Sequence, residues 1–249
     1  MRSSAALAFA ALAFCACPQP HQEPVAAGPD TSCGLDCAAQ NEFGLTFTRC
    51  FEFSSSSTVA EYPQTYAIYV KGLFTLEGNV QTIEVDYYSS GQIKGQDFFT
   101  LPGGTLTLAR RISGGSSATY LKDNAVDGVQ WLPMGTIAGA EIDTTRDERL
   151  STGTTNTGVS YRITTVEASP SDLTTLDPSI STDGGYSMIF NNTPAAKSDT
   201  QRIFVPGVGF TRVTPSSTII VGGVPYYLQK IRDIDLDAGT DPCSLGAIP

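Results

Sequence analysis

The sequence predicts a mainly β protein whose strands run antiparallel. Runs of alternating apolar and polar residues have the period of two that half-buried strands require, and threonine, tyrosine, valine, isoleucine and phenylalanine fill them. Glycine-rich turn signals such as Glu77–Asn79 and Pro102–Gly104 separate these runs at short intervals. Short connections join antiparallel neighbours, because parallel strands need long crossovers. With 41% hydrophobic residues, the chain has enough apolar material for a folded core.

The first segment, residues 1–17, is typical of a leader for export. Arg2 precedes an apolar run over residues 5–14 that is too short to span a bilayer. The segment resembles a bacterial lipoprotein signal peptide, in which a small residue, here Ala16, precedes the cysteine that receives the lipid. The resemblance implies that Cys17 is the lipid attachment site, and it favours the outer membrane because residue 18 is not aspartate. Cleavage near Ala16 without lipid attachment, which gives a freely secreted protein, is the alternative.

The rest of the chain divides into a tether and one domain. Residues 18–42 are predicted as a proline-rich tether, since the stretch from 18 to 32 holds four prolines and Val25 as its one large apolar residue. Such a segment buries too little apolar surface to offset its ordering entropy. Residues 43–249 are predicted as a single antiparallel β domain.

Four cysteines follow the leader: Cys33, Cys37, Cys50 and Cys243. An even number of cysteines in an exported chain predicts disulfides. Four cysteines allow three connectivities, and in each of them Cys243 pairs with a cysteine near the start of the domain. The two ends of the domain are therefore joined in every case. A zinc site that includes Cys33 and Cys37 is the alternative, and the lack of a nearby histidine argues against it.

The charge balance narrows the range of partners. The chain has 25 acidic residues against 15 lysines and arginines, for a formal net charge of −10. This balance argues against nucleic acid as a partner, since binding to it needs clustered lysine and arginine. It argues equally against direct adsorption to anionic lipid. The predicted contact with a membrane is therefore the lipid on Cys17 alone.

The strand pattern recurs along the whole domain, and Arg49 interrupts the apolar face of the first run. The predicted strands are Leu45–Phe53, Tyr66–Leu76, Gln81–Tyr87, Lys94–Leu101, Thr105–Ile112, Val159–Glu167, Tyr186–Phe190, Gln201–Val205, Gly209–Val213, Thr218–Val221 and Val224–Ile234. The stretch Gly114–Asp147 lacks the pattern and is interpreted as a loop, with Trp131 as a hydrophobic plug over the sheet. A helix signal appears at Pro170–Leu176, which is typical of one capped turn.

Two segments resemble a β-rich group of bacterial lipoproteins. Phe204–Phe210 matches their aromatic-x-Pro-Gly-Val-Gly-apolar hairpin, and Tyr87–Arg111 matches a strand, a Ser-Gly turn and a second strand. The resemblance implies a long, twisted antiparallel sheet curved into a half-barrel, similar to the LolA-like lipoprotein-carrier fold, with few or no helices. Pro206 and Gly207 are expected in a turn, and Gly209 at a bulge or a close contact.

The residues of most hydrolytic sites are missing from the sequence. His21, in the tether, is the only histidine, which excludes Ser-His and Cys-His dyads from the domain. Neither a nucleophile elbow nor a phosphate-binding loop is present. We therefore predict that the protein is not an enzyme. A glycosidase with paired carboxylates is the alternative, and its candidate residues are Glu141, Asp143, Asp147 and Glu148.

One polar cluster near the end of the chain is typical of a cation site. Asp233, Asp235 and Asp237 occupy alternate positions and a glycine follows, as in oxygen-rich calcium loops. The glycine and glutamate of an EF-hand are absent from their places, and the other interpretation is a last strand with Ile234 inward and the acids outward. We predict no cofactor, with calcium at these three aspartates as the alternative.

These observations predict a non-enzymatic structural or interaction module that is anchored to the cell envelope by lipid and meets other envelope proteins. The alternative is a carrier of a lipid or other apolar ligand in the concave face of the sheet. Carriage requires large inward side chains that leave an open apolar cavity. Its candidate residues are Phe47, Phe51, Phe53, Tyr69, Phe74 and Tyr87. A glycan-binding surface with exposed aromatic residues beside paired acids is a third alternative.

Overall fold

A computed structural model of the protein describes residues 35, 39–40, 43–55, 65–89, 91–133, 139–168, 186–192, 200–205, 207–214, 220–221 and 224–235. Strands make up most of this structure, which confirms the prediction of a mainly β chain. The predicted capped turn at Pro170–Leu176 lies outside the described residues.

Sixteen strands lie within the described part of the chain. They are β1 Arg49–Ser55, β2 Thr65–Leu76, β3 Val80–Ser89, β4 Gln92–Thr100, β5 Thr105–Ser113, β6 Ser116–Lys122, β7 Ala125–Val126, β8 Val129–Pro133, β9 Glu141–Leu150, β10 Thr155–Glu167, β11 Tyr186–Asn192, β12 Thr200–Val205, β13 Gly209–Thr214, β14 Ile220–Val221, β15 Val224–Pro225 and β16 Leu228–Asp235. Short 3₁₀ turns at Glu77–Asn79 and Pro102–Gly104 join β2 to β3 and β4 to β5, where the sequence predicts turns.

Fourteen of these strands form one antiparallel sheet. Its order is β7-β6-β9-β10-β11-β12-β13-β16-β1-β2-β3-β4-β5-β8, while β14 and β15 pair with each other. The strands β6 and β5 stand second from opposite ends of this order, yet they also pair with each other. That pairing turns the sheet back on itself and gives it an inner and an outer face. The prediction of one long, curved antiparallel sheet is confirmed.

The interpretation of Gly114–Asp147 as a loop is wrong, because β6, β7, β8 and most of β9 lie within it. In β9, Ile142 is the one buried apolar side chain, so the alternation that marks other strands is weak there. Polar side-chain pairs between β9 and β10 hold this strand instead of an apolar face. For example, Nε of Arg162 in β10 lies 2.9 Å from Asp143 Oδ1. Trp131 likewise lies in β8, where it is 2% exposed, and is therefore a core residue of a strand.

The first strand begins later than predicted, at Arg49 instead of Leu45. Gly44 and Thr48 have φ values of 63° and 59°, and this left-handed backbone is incompatible with a continuous strand. Leu45 is nevertheless buried in the core. Arg49, predicted to interrupt the apolar face, lies at the end of β1 and pairs with Asp233 at 3.2 Å.

The inner face of the sheet is packed with large side chains. One buried cluster includes Phe51, Phe53, Val85, Tyr87, Phe99, Leu106, Leu108, Trp131 and Phe204. Ala39, which is fully buried, and Leu35 contact the same cluster, although both precede residue 43. The inner face therefore forms the main hydrophobic core of the described structure.

The β12–β13 hairpin packs closely against the segment before β1, as the predicted role of Gly209 requires. Gly209 has φ +85°, and a Cβ there would lie 3.1 Å from the Phe43 carbonyl oxygen. Gly44 has φ +63°, and a Cβ there would lie 2.4 Å from the Val208 carbonyl carbon. Gly207 lies in the turn, as expected, while Pro206 is outside the described residues. The two glycines let these backbones touch, and the expected close contact at Gly209 is confirmed.

Candidate binding cavity

An open cavity of about 260 Å³ lies on the inner face of the sheet, between β2–β5 and β12. Its walls combine aromatic and charged side chains. The lining residues are Tyr66, Tyr87, Lys94, Gly95, Asp97, Arg111, Ile112, Ser113 and Arg202. Strands that are far apart in sequence therefore build one polar site beside the hydrophobic core.

A bonded trio, Asp97, Arg111 and Tyr87, forms the centre of the cavity wall. Asp97 and Arg111 face each other in the β4–β5 ladder. Arg111 donates from Nε and Nη2 to the two carboxylate oxygens of Asp97, at 2.7 Å each. The Tyr87 hydroxyl donates to Asp97 Oδ2 at 2.8 Å. Since Asp97 is 1% exposed, these three bonds supply the partners that a buried carboxylate requires.

A β-bulge turns Arg111 towards the cavity. Between the pairs Phe99–Leu108 and Phe98–Arg110, β5 contains one extra residue, Ala109. A bulge of this kind shifts the alternation of the strand by one position. Arg111 therefore follows Leu108 on the inner face, while Arg110 binds Glu77 on the other side at 2.5 Å.

A second bulge lies in the wall of the same cavity. Lys94 is the extra residue of β4 between the pairs Tyr87–Gly95 and Tyr88–Ile93. Its Nζ donates to Gln92 Oε1 at 2.9 Å on the exposed surface. The two bulges thus flank Asp97 and place one lysine and one arginine on the cavity wall.

Two guanidinium groups lie against the ring of Trp131. The Cζ atoms of Arg111 and Arg202 are 5.6 and 4.9 Å from the ring centroid. Arg202 also lies 5.3 Å from the ring centroid of Phe210. Cation–π attraction at these distances holds both cations in place on a buried aromatic surface.

The tyrosines of the cavity stay protonated over a wide pH range. Tyr66 and Tyr87 stack with ring centroids 6.2 Å apart. Burial raises the pKa of both hydroxyls above the ordinary value, because the phenolate would lose its solvation. Tyr66 lines the cavity, and its hydroxyl makes no hydrogen bond to any residue that the structure describes. It is therefore available as a neutral hydrogen-bond donor.

The cationic state of Arg111 is equally secure. Burial by itself would lower the pKa of this guanidinium, but the neighbouring Asp97 carboxylate outweighs burial and raises the pKa. Among the described residues, the cavity lining thus carries three cations, Lys94, Arg111 and Arg202, and one carboxylate, Asp97. The raised pKa values of Tyr66, Tyr87 and Arg111 keep these three groups protonated, which suits binding rather than proton transfer. Asp97 is already engaged by Arg111 and Tyr87.

The predicted disulfide residues fall mostly outside the described structure, as does Cys17, the predicted lipid attachment site. Cys50 is fully buried in a second cluster with Ala67, Tyr88 and Ile234. Cys33, Cys37 and Cys243 lie outside the described residues, so the pairing stays a prediction.

Two of the three candidate calcium residues, Asp233 and Asp235, lie among the described residues. Asp233 is exposed and paired with Arg49, Asp235 ends β16, and Asp237 lies outside the described residues. Ile234 is buried in the second cluster. No group of three or more potential metal ligands occurs among the described residues. The calcium site stays a prediction.

The candidate glycosidase acids do not meet in the cavity. Glu141 and Asp143 both pair with Arg162 on the exposed ladder of β9 and β10, at 3.1 and 2.9 Å. Glu148 accepts a hydrogen bond from the Tyr161 hydroxyl at 3.2 Å, and Asp147 accepts one from the Gly158 backbone at 2.9 Å. Each acid is thus engaged locally along its strand or turn.

The candidate residues for an apolar ligand lie on both faces of the sheet. Phe51, Phe53 and Tyr87 are buried in the core, and Phe47 packs against it. Tyr69 packs on the second cluster, and Phe74 is 40% exposed. Of the six, only Tyr87 lines the cavity.

Sequence reasoning missed Asp97, Arg111, Arg202 and Tyr66 as site residues. A usable signal was present, since Asp97 and Arg111 are charged residues inside two neighbouring predicted strands. Such a pair indicates a cross-strand ion pair. Simple alternation, however, assigns Arg110 and not Arg111 to the face of Leu108, and the bulge at Ala109 reverses that assignment.

Comparison with known proteins yields no family assignment. No helix among the described residues is long and apolar enough to cross a membrane. Searches for similarity found no matching family model, no matching curated protein and no matching solved structure.

Proposed function

We propose that the protein is an exported module of the cell envelope, anchored through a lipid on Cys17, that acts by binding and not by catalysis. Its binding site is the cavity at Asp97 and Arg111. The leader over residues 1–17 supports export and anchoring. The four cysteines beyond it support a disulfide-linked domain in an oxidising compartment.

The observation that carries the binding role is the bonded trio of Asp97, Arg111 and Tyr87 in an open cavity. The Arg111 side chain is held by two charge-assisted bonds while 37% of its surface stays exposed. Preorganised polar groups of this kind lower the cost of ordering a site when a ligand arrives. The trio therefore supports a site built for recognition.

Carriage of a bulky lipid receives less support from the same face. The large inner side chains contact one another: the rings of Phe99 and Trp131 lie 4.9 Å apart, and those of Phe53 and Tyr66 lie 5.9 Å apart. A cavity of about 260 Å³ is below the usual size of sites for drug-sized ligands. These contacts favour a small ligand in the cavity over an acyl chain along the sheet.

The proposal is tested by expressing the full chain in a bacterium that has an outer membrane. Mass spectrometry of the envelope fraction should find an N-terminal peptide that starts at acylated Cys17. Cys17→Ser should abolish acylation and release the protein from the membrane. Native mass spectrometry of the detergent-extracted protein should show no bound phospholipid. Cytosolic protein with an intact leader, or a stoichiometric phospholipid, would overturn the proposal.

A further inference from the structure

We propose that the cavity binds a small molecule through an oxyanion, a carboxylate or a phosphate, held by Arg111 and Arg202 with the Tyr66 hydroxyl as a further donor. This inference rests on the proposed function, because it names the ligand class of the same cavity.

The charge of the cavity runs against the charge of the whole chain. The formal net charge of the protein is −10, whereas the described residues that line the cavity carry three cations and one anion. An acidic protein that gathers cations on one concave wall concentrates anions at that place and repels them elsewhere. The lining therefore selects for a negatively charged ligand.

The geometry of Arg111 leaves part of its guanidinium open to a ligand. Asp97 takes the edge formed by Nε and Nη2. Nη1 makes no hydrogen bond to any described residue, and the side chain is 37% exposed. Guanidinium groups bind carboxylate and phosphate oxygens through charge-assisted bonds, so Nη1 is suited to a ligand oxyanion. Asp97 thus fixes the cation through Nε and Nη2 and leaves the Nη1 donors for a ligand.

Arg202 and Tyr66 add donors from two other strands. Arg202 lines the cavity from β12 and packs on Trp131 at 4.9 Å, where it is oriented by the aromatic ring. Tyr66 lines the same cavity from β2, and its ring is fixed by Tyr87 and by Phe53, whose centroid lies 5.9 Å away. Donors fixed by packing bind an anion with little loss of side-chain entropy.

The volume limits the size of the ligand. Because one liquid water occupies roughly 30 Å³, a cavity of about 260 Å³ holds a molecule on the scale of a monosaccharide and no long chain. The stacked rings of Tyr66 and Tyr87 provide an apolar wall for the uncharged part of that molecule.

The test is isothermal titration calorimetry of the full chain with four probes: inorganic phosphate, glucose 6-phosphate, glucuronate and glucose. The two sugar anions separate a phosphate source from a carboxylate source, and glucose is the neutral match for both. We expect at least one anion to bind at millimolar concentration or tighter, with an affinity that falls as salt rises. Glucose should bind about tenfold more weakly than its anionic match or not at all.

Variants assign the binding to the cavity. The paired change Asp97→Asn with Arg111→Gln keeps the net charge and a hydrogen-bonding pair, and it should weaken anion binding about tenfold or more. Tyr66→Phe, which removes one hydroxyl, should weaken it roughly fivefold and keeps the test valid if the paired variant fails to fold. Arg162→Gln removes an exposed cation outside the cavity and is the control that should leave affinity unchanged.

Each result decides between the proposals. If glucose binds as tightly as its anions and the cavity variants weaken both, the oxyanion inference is wrong while the cavity stays the binding site. If an anion binds but Tyr66→Phe and the paired variant leave its affinity unchanged, the cavity is not the site, and the proposed function fails with it. If no anion binds at millimolar concentration, the oxyanion inference is overturned.

Discussion

At the scale of single residues, the structure depends on a few buried polar groups with complete sets of partners. Asp97 receives three hydrogen bonds and is 1% exposed, whereas Asp143 pairs with Arg162 on the surface with a side chain that is 62% exposed. The two aspartates have arginine partners at similar distance and differ in burial. A comparison of the two therefore separates the effect of burial on stability from the effect of ion pairing on stability.

Asp97→Asn should destabilise the protein by about 3 kcal/mol, because it leaves Arg111 without its counter-charge in a partly buried site. The same substitution at the exposed control, Asp143→Asn, should cost less than about 1 kcal/mol, as is usual for surface pairs. The free energy of unfolding in urea measures both. Equal effects at the two positions would contradict the structural role assigned to the Asp97 pair.

Asp86 should make stability depend on pH in a specific direction. It is 2% exposed on β3, and Gln96 Nε2 donates to it and to Glu84 at 2.8 Å each. Burial is the main cause that raises the pKa of the Asp86 carboxyl above 3.8. The folded state thus favours the neutral acid, whose contribution is present below pH 3.8 and is lost as pH rises through the raised pKa.

The variant Asp86→Asn keeps an oxygen for Gln96 and removes the charge. It should therefore be more stable than the native protein at pH 7, and this gain should disappear at pH 3, where Asp86 is protonated. Urea unfolding at the two pH values measures the difference. A gain in stability that is larger at pH 3 than at pH 7 would contradict the predicted direction of the pH dependence.

At the scale of elements, local sequence predicts strands well where one face is apolar and poorly where it is polar. The turns at Glu77–Asn79 and Pro102–Gly104 and the strands around them follow from alternation and glycine. β9 does not, since cross-strand ion pairs hold its polar side chains. The bulges at Lys94 and Ala109 could not be predicted either, because their positions depend on the register between neighbouring strands.

The contact between the β12–β13 hairpin and the segment before β1 depends on Gly44. Gly44→Ala should destabilise the protein by several kcal/mol, because the new Cβ would meet the Val208 carbonyl carbon at 2.4 Å. Gly158→Ala is a matched control, with φ +64° against +63° and nothing within 4 Å of its Cβ. It should cost only about 1 kcal/mol for the left-handed backbone.

Thermal unfolding of the two alanine variants measures this difference. Because the backbone strain is nearly the same in both, the excess cost at Gly44 reports the close approach to Val208 alone. Equal losses of stability would mean that the hairpin and the segment before β1 are not in tight contact.

At the scale of the whole molecule, the sequence predicts the fold class and the sign of the total charge, but not the cavity. The sheet places Arg111 of β5 and Arg202 of β12 on one inner wall, although a long stretch of sequence separates them. Only the pairing of all the intervening strands brings them together. Composition gives the excess of acidic residues, but it does not give the positions at which the few lysines and arginines come together.

The predicted disulfides join the two ends of the domain whichever connectivity is formed. Cys243→Ser should therefore lower the free energy of unfolding by about 2–5 kcal/mol, since it releases a long loop in the unfolded chain. Unfolding in urea under oxidising conditions measures the loss, and reduction of the native protein should remove at least as much stability. A variant as stable as the native protein would contradict a bond at Cys243.

The central proposal is the oxyanion site at Arg111 and Arg202. The most direct test is a crystal structure of the protein soaked with glucose 6-phosphate or glucuronate, whichever binds more tightly in solution. We predict the phosphate or carboxylate group in the cavity, with one oxygen within hydrogen-bond distance of Arg111 Nη1 and the Asp97 pair intact. An empty cavity at a saturating concentration of that anion, or an anion bound only outside the cavity, would contradict the proposal.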